Sequence, residues 1–157
     1  MFTTDDLCSL RWNTQEHCTE IIDQTLLPHQ LQWCQLKSLA HYCRAIADMQ
    51  VRGAPLIGIT AAFGLAHALF DDASDEGLQL ASEKLLATRP TAVNLRWAIN
   101  QVAELVRPLA PQARPAAALV KAINMRKEDI AHCENIGIHG AHLLRPLYTG
   151  ETLNLMT

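Results

Sequence analysis

Through the first forty residues the apolar positions come in short runs: Leu10-Arg11-Trp12-Asn13, Thr19-Glu20-Ile21-Ile22-Asp23 and Leu31-Gln32-Trp33-Cys34-Gln35-Leu36. Polar or Pro-bearing stretches separate them, a pattern that predicts a small antiparallel sheet over residues 8–37. Leu27-Pro28-His29 supplies the break before the third strand, because the residue preceding a proline is pushed toward extended backbone.

From Ser38 the period becomes helical and stays so to residue 145. Ser38 can cap a helix over residues 39–49, with Leu39, Tyr42, Cys43, Ile46 and Met49 on one face at spacings of three and four. Residues 54–70 are almost wholly apolar, so this helix should be covered on most sides and form the hub of the core. It is shorter than the ~20 residues a bilayer span needs and carries His67, which favours a buried helix over a membrane segment. Ser74-Asp75-Glu76 starts a further helix, amphipathic through Leu78, Leu80, Ala81, Leu85 and Leu86. Thr91 is the candidate cap of the next, which carries Val93, Trp97, Val102, Leu105 and Val106 and breaks before Pro108 and Pro111. A long last helix over residues 115–144 contains Gly137 and Gly140, either of which can interrupt it. After the Tyr148-Thr149-Gly150 turn, residues 153–156 begin an apolar run of the kind that forms a strand buried on both faces.

The bulk composition changes this picture little. With 157 residues, 49% of them hydrophobic and 18% charged, the chain can bury one sizeable core. A net charge of -3 with scattered Lys and Arg argues against nucleic acid as a partner. The five cysteines include no Cys-x-x-Cys pair, which speaks against a disulfide framework and a zinc site and for reduced thiols in the cytoplasm. Residues 1–6 lack the basic and apolar regions of a secretory signal. His139 and His142 are spaced to share a helix side, but no third ligand lies nearby, so no metal is expected. Glu128 and His132, four apart, suit a surface pair.

Chemistry concentrates at two helix starts, Arg52-Gly53-Ala54-Pro55 and Arg89-Pro90-Thr91-Ala92-Val93-Asn94-Leu95. A helix N-terminus leaves backbone N–H groups unpaired and carries partial positive charge, so an adjacent guanidinium makes it a seat for phosphate. Proline suits the first turn, and Gly53 removes the Cβ from a close backbone approach. Two readings stay open on spacing alone: the Arg and Pro residues punctuate two core helices, or folding joins both starts into a cradle for a small phosphorylated molecule.

Both stretches, residues 51–66 and 88–98, resemble the signature segments of methylthioribose-1-phosphate isomerases. Leu10-Arg11-Trp12, Ile22-Asp23-Gln24-Thr25-Leu26-Leu27-Pro28, Asn135-Ile136-Gly137 and Gly140-Ala141 are further matches, so the resemblance covers nearly the whole chain. It implies an α+β fold, with a small N-terminal antiparallel sheet followed by a helical bundle. The family's chains are about twice as long, as two domains require. Residues 1–147 would then be the N-terminal, substrate-gripping domain, and residues 148–157 the start of a Rossmann-like α/β domain cut off in its first strand. The implied reaction is the aldose–ketose conversion of 5-methylthioribose 1-phosphate to 5-methylthioribulose 1-phosphate in methionine salvage, without a cofactor. Arg52, Gly53, Ala54 and Arg89 match the family's substrate-binding positions. Its catalytic cysteine and aspartate would lie beyond Thr157, so no catalytic residue is assigned and the chain is expected to be inactive as it stands. The implied setting is cytoplasmic, with a sugar phosphate as partner and a homodimer as the form the family allows. Two alternatives remain: a non-catalytic interaction module, like the related regulatory subunits of the translation-initiation nucleotide-exchange factor, and a ribose-1,5-bisphosphate isomerase relative.

Overall fold

The computed structural model describes residues 8–150 and 152–154. They form two compact units, one ending at Asn124 and one beginning at Met125.

The first unit opens with an antiparallel meander of β1 (Leu10–Asn13), β2 (Cys18–Ile22) and β3 (Trp33–Leu36), in the order β1-β2-β3. Leu10 pairs with Ile21, which pairs with Cys34, while Arg11 pairs with Glu20, which pairs with Gln35. Strand alternation therefore sorts side chains to two faces. On one, Leu10, Thr19, Ile21 and Leu36 are buried, and the Tyr42 hydroxyl donates to Thr19 Oγ1 at 2.8 Å. On the other, the Glu20 carboxylate accepts from Asn13 Nδ2 at 3.0 Å, Arg11 Nε at 2.7 Å and Gln35 Nε2 at 3.2 Å. Those bonds, Asn13's first, hold the Glu20 carboxyl down to about 2. The Arg11 guanidinium lies 4.1 Å over the Trp33 ring.

Helix α1 (Leu39–Ala47) is capped by Ser38, whose hydroxyl accepts from the His41 N–H. Tyr42 and Ile46 are buried as the spacing predicts. Met49 is not: the chain leaves the helix through a left-handed φ of 57° at this residue and exposes its side chain. Helix α2 (Ala54–Asp71) is the hub, buried from Ile57 to Ala66 and again at Leu69 and packed by α1, by α3 (Asp75–Thr88) and by α4 (Val93–Val106). By length and composition alone it would also qualify as a membrane span; its residues instead fill the bundle core. A Cβ on Gly64 would stand 2.9 Å from Tyr42 Cβ, so glycine there sets the α1–α2 approach.

Helix α3 is capped by Ser74, which accepts from the Gly77 N–H, and buries Leu78, Ala81 and Leu85. Leu80, expected inside, is exposed, as are Val93, Trp97 and Leu105 of α4. The 3.6-residue period places these four away from the face that α2 covers. A short 3₁₀ turn at Pro111–Ala113 leads into α5 (Arg114–Leu144), whose first turns belong to the first unit. Arg114, 5% exposed, donates to the carbonyls of Leu109, Ala73 and Arg107 and pairs with Asp75 at 2.8 Å.

In the second unit α5 continues unbroken through Gly137 and Gly140, since an isolated helical glycine costs only about 1 kcal/mol. A 3₁₀ turn at Arg145–Leu147 follows. The expected strand is absent at Leu153 and Asn154, which have no pairing partner among the described residues; Leu155 and Met156 lie outside them, as do residues 1–6.

Candidate functional site

The approach to α2 is anchored from the sheet. At the end of β2 the Gln24 N–H donates to the Gln50 carbonyl at 2.9 Å, and Gln50 Nε2 donates to Asp23 Oδ2 at 2.7 Å. Burial would raise the Asp23 carboxyl, but the Thr25 and Gln50 bonds outweigh it and leave it below the ordinary carboxylate value. With Val51 fully buried, the chain emerges at Arg52 and turns through Gly53, whose φ of 95° is a conformation other residues adopt only with strain. Gly53 is the N-cap of α2 and Pro55 sits in its first turn. Glycine offers no side-chain acceptor, and no acidic residue occupies that turn. The α2 N–H groups and the positive end of its dipole are therefore left for something else.

Helix α4 starts the same way. Ala92, not the expected Thr91, is its N-cap, because a turn closed by the Ala92 N–H on the Arg89 carbonyl at 3.0 Å carries Thr91 one position outside the helix. Alanine cannot cap, and again no acidic side chain enters the first turn.

Gly58 brings the two starts together. A Cβ there would come within 2.7 Å of the Asn94 carbonyl oxygen and 3.3 Å of Ala98 Cβ, so the first turn of α4 rests directly on the α2 backbone. Between the two N-termini lies a hollow of about 440 Å³. Gly53 and Ala54 line it from α2, Arg89 and Thr91 from the connection, Val93 and Asn94 from α4. Of the four sequence candidates, three thus share one cavity. Arg52 is exposed and does not line it, although it adjoins Gly53. Among the described residues neither the Arg52 nor the Arg89 guanidinium has an ion-pair or hydrogen-bond partner. The lining includes no carboxylate, thiol or imidazole. Chemically, the site can hold an anion by backbone N–H groups and a guanidinium fork, and it supplies no side chain to move a proton.

Ile57, Ala92 and Val93 also line the cavity, and none was marked by sequence reasoning as a site residue. Ala92 and Val93 sit inside the quoted motif, so the signal was present. For Gly58 the only hint was a glycine within an apolar helix, which marks close backbone approach. His139 and His142 are both exposed on α5, and among the described residues no group of three or more His, Cys, Asp or Glu is placed to hold a metal.

The sheet-plus-bundle architecture is one that known proteins share, and residues 50–157 match the Initiation factor 2 subunit family; the chain belongs to it. Within that family it is similar to isomerases. It is 50% identical over 151 residues to the methylthioribose-1-phosphate isomerase of Dechloromonas aromatica (strain RCB), covering 95% of this chain and 42% of that protein. Among solved structures, 5-methylthioribose 1-phosphate isomerase from Pyrococcus horikoshii OT3 superposes with a TM-score of 0.80 at 30% identity, over 90% of this chain and 43% of that one. The translation initiation factor eIF-2B subunit delta from A. fulgidus superposes at 0.70 and 29% identity, over 78% and 37%. The chain therefore spans about two fifths of the length of the curated relatives it matches.

Proposed function

We propose that this chain is the substrate-gripping portion of a methylthioribose-1-phosphate isomerase, holding the phosphate of 5-methylthioribose 1-phosphate at the mouths of α2 and α4. The observation that carries this reading is the meeting of two uncapped helix N-termini with the unpaired Arg89 guanidinium at one hollow. Backbone N–H groups of both first turns donate to phosphate oxygens, and Arg89 supplies a charge-assisted pair of bonds. Arg52, exposed beside Gly53, reaches the sugar phosphate from the rim. The relatives' names suggest the sugar, and a lining without an acid or base is consistent with proton transfer by groups outside the cavity. A cytosolic setting belongs to the same proposal, supported by the absence of any disulfide among the described cysteines.

Titration calorimetry with 5-methylthioribose 1-phosphate and with inorganic phosphate tests it. Both should bind, Arg89→Ala should weaken both about tenfold, and isomerase turnover by the chain alone should stay at background. Unchanged affinity in the variant would remove Arg89 from the site. A second reading, a non-catalytic interaction module, is favoured by the likeness to the initiation-factor subunit and by the same absence of acid and base; failure of both ligands to bind would select it.

A further inference from the structure

A second cavity, of about 190 Å³, lies at the far end of α2 from the phosphate hollow, lined by Trp12, His17, His67, Phe70 and Asp71. Four of the five lining side chains are aromatic rings. Trp12 is fixed by stacking on the fully buried Phe63, with ring centroids 5.9 Å apart and planes within 9°. His67 packs against Tyr42 at 5.6 Å, and its Nδ1 is buried without a hydrogen-bond partner, so packing holds this wall too. His17 is delivered by the β1–β2 turn in a left-handed conformation, φ 48°. Packing thus holds the Trp12 and His67 walls, while His17 and Phe70 border the cavity from exposed positions.

Asp71 is the cavity's only carboxylate, no Lys or Arg lines it, and among the described residues Asp71 has no ion-pair partner. Asp71 is also the last residue of α2, whose final turn contains no basic residue, so the negative end of the dipole is uncompensated there. The volume falls below the roughly 300 Å³ at which drug-sized pockets begin. Rings facing a common space, one carboxylate and a bare helix C-terminus are what recognise a cation without donors of its own to satisfy.

We propose that this pocket binds a small organic cation of the methylated-ammonium class. Its charge rests against the rings of Trp12 and Phe70, and Asp71 neutralises it. The site is independent of the phosphate hollow, so its occupancy neither needs nor reports on the isomerase reading.

The test uses the full chain in mildly alkaline buffer, with tetramethylammonium chloride as probe and tert-butanol as its neutral counterpart. The Trp12 indole N–H resonance should shift saturably with tetramethylammonium and respond about fivefold more weakly to tert-butanol. Asp71→Asn should weaken the cation about threefold and leave the alcohol unchanged. Phe70→Ala, at an exposed position, should weaken the binding read at the Trp12 resonance while leaving the remaining spectrum intact. Equal affinity for cation and alcohol, an unchanged affinity in Asp71→Asn, or no saturable shift would each overturn the proposal.

Discussion

Arg114 and Arg89 both stand where the chain passes between helices, yet their guanidinium groups are in opposite states. Arg114 is 5% exposed, and its donors are occupied by the carbonyls of Leu109, Ala73 and Arg107 and by Asp75. It joins the connection between α2 and α3 to the one between α4 and α5. Arg89 ends α3 half-buried, with its fork unengaged, beside two helix N-termini that also have no side-chain acceptor. Donors that are all satisfied within the protein stabilise it and leave nothing for a ligand. A cluster of donors left unsatisfied at one solvent-accessible hollow has the opposite signature. Residue type does not separate structural from binding arginines; the local inventory of acceptors does.

The largest effect should come from removing the occupied guanidinium. Arg114→Ala strips donors from three carbonyls near the bundle interior and should lower unfolding free energy by about 3 kcal/mol in urea titrations, with phosphate affinity of the surviving folded protein unchanged. Arg89→Ala should do the reverse, altering affinity while stability stays within about 0.5 kcal/mol. Two variants with equal stability losses would break the comparison. The next effect belongs to Gly58→Ala. Its Cβ would meet a backbone carbonyl at 2.7 Å, and neither helix can yield without moving the other's first turn. A loss of about 2 kcal/mol is expected together with weaker phosphate binding, because the two N-termini are pushed apart. Gly137→Ala, where a Cβ meets nothing within 4 Å, should raise helicity instead.

Much of the fold could be seen in the hydrophobic pattern, because α1 and α3 to α5 are long enough for the 3.6-residue period to emerge, α2 is apolar all round, and Ser38 and Ser74 cap where their side chains indicate. The strands were located to within two residues by their alternation. The pattern failed where an apolar residue stands off the covered face of its helix. Val93, Trp97 and Leu105 lie on α4 faces that α2 does not reach, which no count of apolar residues reveals. Arg114 went unmarked because its acceptors are backbone carbonyls up to 41 residues away in sequence, and carbonyls leave no trace in side-chain identity. At the candidate site, Gly53, Ala54 and Arg89 were legible through the motif and the resemblance, whereas Ala92's place at the cap depended on a turn geometry that Thr91's identity concealed.

That misplaced cap provides the finest test of the comparison. Ala92 has φ -77° and ψ 102°, the extended backbone in which an N-cap side chain can reach the N–H groups of the first turn. Ala92→Asp would supply the acceptor that α4 lacks, giving the helix the kind of internal satisfaction that Arg114 already has. Stability should rise by about 1 kcal/mol. The same carboxylate would occupy the N–H groups and repel an incoming anion, so phosphate affinity should fall about tenfold or more. Ala92→Ser separates the two contributions: it caps without charge, so it should retain most of the stability gain and lose less affinity. A stabilised Asp variant that binds phosphate as tightly as before would show that the anion is not held at the mouth of α4, leaving α2 and Arg89 to hold it without that helix.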